Sequence, residues 1–361
     1  QRVFQGGIKR ALVAPGGQIP IAGNNSRDLH HQKWHRPGCD HLNLVHHVGC
    51  GPRCHIECHG GPGHVRVVDG REFLRIAHGC GADCCVRVHS HSVGQTVALV
   101  GYCPDIKFDT LSKNVLAVLA KLGCEVRPFQ VEGRFAPEYP HGNKILATLE
   151  PRETEFSAFF DSDVLCLRPN KVENLVREGH VSLTPAASMI WGTGKTWGLI
   201  YDTCGMEVPE ERVRLMRQKG ERGRIPYFSS GLFSFPEGHK NSEGKSFPQV
   251  WMDVAQIIDK NEKIPGRRPY LDQISLPLAI QKAGLGWNIL PEEQHFILGG
   301  SLRGEPLPEG REIFTVHYRK WEILKEVGLA RQGKRMLEKH AGVRRIDQIN
   351  RVSDGLASDL D

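Results

Sequence analysis

The 361 residues carry 47 Lys and Arg against 41 Asp and Glu, a net charge of +6, with 39% apolar and 24% charged residues. That length admits two ordinary domains or one large α/β domain, and no apolar run approaches the roughly 18 residues needed to cross a bilayer. The composition reads as that of a soluble globular protein, and the opening segment, 1–23, lacks the continuous apolar core of a secretory signal.

Charge and cysteine are unevenly distributed. Residues 1–92 hold 11 Lys and Arg against 6 Asp and Glu, which leaves 36 against 35 for the rest, so the larger part is nearly neutral and has no nucleic-acid footprint. Seven of the eleven cysteines and twelve of the eighteen histidines fall in the same first segment. Cys50, Cys54 and Cys58 recur every four residues with His55 and His59 among them, and Cys80, Cys84 and His89 follow. This suggests a zinc module, although the spacing is that of no standard finger. The segment has little strand or helix periodicity and favours Arg over Lys, so it also reads as a disordered extension, as GC-rich sequence translated in a wrong frame, or as an unrecognised structural element. Cys103, Cys124, Cys166 and Cys204 are widely spaced, and three sit in or beside apolar stretches, which suits a reducing cytoplasm.

Patterning begins at Gln95. Thr96-Val-Ala-Leu-Val100, bounded by Gly94 and Gly101, predicts a buried parallel strand. Apolar residues at 111, 115, 116, 118, 119 and 122 predict an amphipathic helix that Gly123 stops. Cys124-Glu-Val-Arg-Pro-Phe129 completes a β-α-β unit, the opening of a doubly wound sheet. A helix over 143–149 then leads to the apolar run Phe156-Ser-Ala-Phe-Phe160, followed by Asp161-Ser-Asp163 and by Val164-Leu-Cys-Leu167.

Two carboxylates thus stand where an apolar strand ends, the place where open α/β sheets bind ligands. In an extended segment Asp161 and Asp163 would face one side and Ser162 the other, as a hard divalent cation requires. Such a pair can equally make a turn or cap a helix, but acids between two apolar runs would be costly without cations.

The stretch from His141-Gly-Asn-Lys144 through Phe159-Phe-Asp-Ser-Asp163 resembles the nucleotide-sugar region of GT-A glycosyltransferases, especially the glycogenin-like and bacterial lipopolysaccharide galactosyltransferase group, family 8. Tyr227-Phe-Ser-Ser-Gly231 resembles that group's N-S-G strand, with Ser229 where the group has Asn. Tyr270-Leu-Asp-Gln-Ile274 resembles its D-Q segment, and Val316-His-Tyr-Arg-Lys-Trp321 its His motif, here without the usual Gly and Pro.

The resemblance implies a GT-A fold with a mostly parallel central sheet flanked by helices. It divides the chain into the extension 1–92, a glycosyltransferase domain at 93–325 and a C-terminal helical segment and tail at 326–361. It also implies Mn²⁺ or Mg²⁺ on Asp161, Asp163 and His317, bridging the diphosphate of a UDP-sugar whose hexose passes to a glycan or other hydroxyl acceptor. Lys144 would pair with a phosphate or with Asp161, and Lys320 would reach phosphate, with an exposed lysine as the other reading of each. Ser230 and Gly231 would admit the sugar. Asp272 would orient the acceptor or stabilise the anomeric charge, or else cap the helix over 273–283. Two further readings are a sugar nucleotidyltransferase, whose Gly-rich phosphate loop is missing after the first strand, and a non-catalytic zinc- or nucleotide-binding protein. Five tryptophans, Trp191, Trp197, Trp251, Trp287 and Trp321, either stack on an acceptor or pack in the core.

Overall fold

Two sheets organise the residues described by the computed structural model, 85–90, 97–189, 192–220 and 222–344. The histidine and cysteine cluster at 50–59, Cys80, Cys84 and Trp191 lie outside them, as do the side chains of strand 85–90. The chain divides into Gln1–Gly60 and Gly61–Asp361, and all that follows concerns the second unit.

The larger sheet runs β3-β2-β1-β4-β7-β6-β8. Its strands are β1 (Cys85–Ser90), β2 (Val97–Pro104), β3 (Cys124–Phe129), β4 (Phe156–Phe160), β6 (His180–Pro185), β7 (Phe228–Pro236) and β8 (Gly286–Ile289). The smaller sheet, β5-β10-β9, contains β5 (Val164–Cys166), β9 (Phe296–Ile297) and β10 (Thr315–His317). The helices are α1 (Asp105–Phe108), α2 (Lys113–Lys121), α3 (Asn143–Leu149), α4 (Gly194–Thr203), α5 (Phe247–Lys260), α6 (Leu271–Lys282), α7 (Trp321–Glu326) and α8 (Leu329–Ala341).

The expected β2-α2-β3 unit is present, with β2 and β3 parallel. The sheet as a whole is mixed rather than purely parallel. β1 pairs antiparallel with β2 and β4, and β7 antiparallel with β4 and β6. The other five strands share one direction. The reversal of β7 left no mark in the sequence for a physical reason: a central strand buried on both faces is a continuous apolar run whichever way it points. β4 and β7 are such runs, buried along nearly their whole length.

Alternation along these strands builds two cores. Phe159 and Phe233 point to one face, where they join Trp251 of α5 and residues of α3, α4 and α6. Ala158, Phe160 and Leu232 point to the other, against Val115, Val118 and Leu119 of α2 and Leu337 and Ala341 of α8. Trp197 and Trp251 are core residues, each about 1% exposed or less. β1 lies ahead of the compositional boundary at residue 93, and its backbone is part of the sheet. No helix among the described residues is long and apolar enough to cross a membrane.

Candidate active site

The site forms where the carboxyl end of β4 meets the edge of the smaller sheet. Asp161 leaves β4 and its N–H donates to the Gly231 carbonyl of β7 at 2.8 Å. The segment 161–164 is a turn, closed by the Val164 N–H donating to the Asp161 carbonyl at 3.1 Å, and not the extended strand expected from its spacing. The turn still brings both acids to one side, because β5 then pairs with β10 and sets Val164 opposite His317. A further bond, from the Tyr318 N–H to the Asp163 carbonyl at 3.0 Å, ties the turn to the end of β10.

His317 Nε2 lies 3.0 Å from Asp163 Oδ1 and 4.0 Å from Asp161 Oδ2. The ligand atoms of Asp161, Asp163 and His317 all fall within 4.8 Å of one another. Among the described residues the buried His317 Nδ1 has no hydrogen-bond partner, and Nε2 is the nitrogen turned to the acids. Two carboxylates and an imidazole suit Mn²⁺ or Mg²⁺ better than a soft metal, and the residues present fit such an ion. Burial pushes the Asp161 carboxyl above its ordinary range, with Lys144 opposing, Asp163 adding to the rise and His317 opposing. A cation between the acids would relieve that cost.

Behind the cluster stands a second, drier layer. Lys144 of α3 reaches Asp161 Oδ2 at 2.9 Å, Ser230 Oγ at 3.1 Å and Asp272 Oδ2 at 3.2 Å. Asp272 also accepts from Ser230 at 2.6 Å and from the Tyr139 hydroxyl at 3.0 Å. Burial is the largest influence on Asp272 and pushes it up. The Lys144 charge and the bonds from Ser230, Lys144 and Tyr139 together outweigh burial and hold the carboxyl below its ordinary range. Asp272 does not cap α6: it lies inside the first turn, Tyr270 occupies the cap position, and the Asp272 carboxylate is drawn inward by Tyr139 and Lys144.

Gly231 is where it is because two rings cover it. A β-carbon there would lie 2.7 Å from His317 Nδ1 and 3.1 Å from His295 Nε2. Ser229, which stands in place of the group's Asn, bonds His295 Nε2 at 3.1 Å. His295 is fully buried. Burial holds its ring well below the usual imidazole range, helped by the neighbouring His317, Lys144 and Arg319 and opposed by Asp163. Lys320 is exposed ahead of α7 and has no ion pair with the acids described here.

Tyr139 and His295 had no sequence signal of their own. Tyr139 reaches Asp272 across a separation of 133 residues, and His295 reaches Ser229 across 66. Only the position of His295 just before the apolar pair Phe296 and Ile297 hints that it enters the core.

Residues 85–284 match the family described as the Rhodobacterales glycosyltransferase domain, more than half of the chain, and the chain belongs to that family. It is therefore a glycosyltransferase. Asp161, Asp163, Lys144, Ser230, Gly231 and Asp272 lie inside the match, and His295 and His317 beyond its end. Comparison with curated proteins gives no match. Among solved structures, mouse xyloside xylosyltransferase 1 in its apo form is similar at 11% identity and a TM-score of 0.37, over 60% of this chain and 82% of that one. The galactosyltransferase LgtC in complex with donor and acceptor sugar analogues is similar at 11% identity and a TM-score of 0.37, over 61% of this chain and 81% of that one.

Proposed function

We infer that this glycosyltransferase has the GT-A architecture and transfers a hexose from a UDP-sugar to a glycan or other hydroxyl acceptor. The convergence of Asp161, Asp163 and His317 in a chain of this family is the observation that supports it. The preference for UDP rests on the resemblance to family 8.

Asp161, Asp163 and His317 would hold Mn²⁺ or Mg²⁺, which supplies Lewis-acid neutralisation of the charge that develops on the departing diphosphate. The chain's own contribution is geometric. The bonds from Asp161 to Gly231 and from Tyr318 to Asp163 fix the two acids before any ligand arrives, so little reorganisation is left for the reaction. The missing side chain at Gly231 makes room for the imidazoles of His317 and His295 over β7, and Ser230 accepts a hydrogen bond from Lys144 and so orients it.

The compartment we propose is the cytoplasm. Cys103, Cys124, Cys166 and Cys204 are buried, and burial pushes the Cys204 thiol up to about 11, so these thiols act as small core hydrophobes.

A release assay tests the activity: the full chain with Mn²⁺ and a panel of UDP-hexoses, scored for free UDP. Turnover of at least one donor, lost in Asp161→Asn and Asp163→Asn, is expected. Turnover that survives both substitutions would overturn the metal-site reading.

A further inference from the structure

Asp272 is the most enclosed acid of the site, 3% exposed, and both of its oxygens are engaged. Oδ1 accepts from Tyr139 at 3.0 Å, while Oδ2 accepts from Ser230 at 2.6 Å and lies 3.2 Å from Lys144 Nζ. Tyr139 is itself held. Its ring meets Phe135 edge-on, stacks on His141 and lies under the Arg268 guanidinium, which in turn bonds the carbonyls of Pro137 and Glu138. A carboxylate so enclosed presents no oxygen to an incoming acceptor.

Its surroundings give it another task. Asp161, Asp163 and Asp272 bring three carboxylates to the site and Lys144 one ammonium. These four groups alone sum to two negative charges, the complement of one divalent cation. Lys144 sits between Asp161, at 2.9 Å, and Asp272, at 3.2 Å. With Asp272 neutral, the ammonium would fall wholly to Asp161 and cancel one of the two charges the cation needs.

We propose that Asp272, anchored by Tyr139, is a positioning residue that holds and neutralises Lys144, so that Asp161 and Asp163 keep the charge matching a divalent ion. The proposal rests on the metal site inferred above. It differs from an acceptor-facing role for Asp272, because it assigns the residue to metal affinity.

The test is calorimetric titration of Mn²⁺ into the full chain, for wild type, Asp272→Asn, and Asp272→Asn combined with Lys144→Met. Asp272→Asn, close to isosteric, is expected to weaken Mn²⁺ binding by about tenfold or more. Adding Lys144→Met removes the opposing charge and is expected to return the affinity to within about threefold of wild type. Unchanged affinity in Asp272→Asn, or a loss that Lys144→Met does not repair, would overturn the proposal. If Asp272→Asn fails to fold, Tyr139→Phe carries the test, since it keeps every charge and removes only the anchor. Weaker Mn²⁺ binding that Lys144→Met reverses supports the proposal, and wild-type affinity contradicts it. Failure of the wild type to bind Mn²⁺ would instead remove the metal site itself, an outcome distinct from a wild type that binds and an Asp272→Asn variant that is indifferent.

Discussion

Replacing Gly231 with alanine adds one methyl group at the point where β7 passes under His317 and His295. The new carbon would lie 2.7 Å from both Cε1 and Nδ1 of His317, and 3.1 Å from Nε2 of His295, where ordinary contact begins at 3.4 Å. His295 has little room to give, being fully buried and bonded to Ser229. His317 must therefore take most of the displacement, about 0.7 Å. Metal sites hold their ligand distances to about 0.2 Å, so a shift of that size spoils the imidazole as a ligand. Overpacking of this kind costs about 1–3 kcal/mol. Calorimetric titration of Mn²⁺ should show an affinity loss of about tenfold or more, and scanning calorimetry a midpoint lowered by about 2–10 °C. Wild-type Mn²⁺ affinity in Gly231→Ala would refute the placement of His317 over this glycine and its role as a ligand.

Three other outcomes follow from the same geometry. Trp251→Ala removes a side chain that meets Phe233 and Phe247 and donates to Ser275 at 2.9 Å, and should lower the unfolding free energy by about 3–5 kcal/mol in denaturant titrations. Gly142→Ala would place a carbon 2.5 Å from the Tyr139 ring; a lowered thermal midpoint with weaker Mn²⁺ binding is expected, and a midpoint equal to wild type would contradict the packing. For Asp272 the carboxyl is held below its unfolded range, so its contribution to stability is present at neutral pH and is lost as pH falls through the depressed value. The gap in denaturant midpoint between wild type and Asp272→Asn should accordingly narrow in acid, and a gap that widens as pH falls would contradict the assignment.

The local chemistry of this chain was legible where it is local. The strand at 156–160, the helix at 143–149 and the β2-α2-β3 unit declare themselves because period and punctuation are properties of neighbouring residues. Asp161 and Asp163 stood out because acids between two apolar runs have few structural uses. Strand direction was not legible, since β7 reads the same from either end and is reversed only by where the chain returns from. The turn at 161–164 and the inward carboxylate of Asp272 were also hidden, because each is decided by partners distant in sequence: His317 for the first, Tyr139 and Lys144 for the second. His317 was reachable only through the resemblance to a known motif, and His295 and Tyr139 not at all. Lys320, three residues from His317 in the same motif, is exposed, which shows how little adjacency says about where a side chain is delivered.

The central claim is that Asp161, Asp163 and His317 form a divalent-cation site that binds the diphosphate of a sugar nucleotide. Its most direct test is equilibrium binding of UDP to the full chain with and without Mn²⁺, for wild type and Asp163→Ala. The account predicts binding that requires Mn²⁺ and collapses in Asp163→Ala. UDP binding of equal strength without the metal, or no UDP binding under any of these conditions, would contradict it.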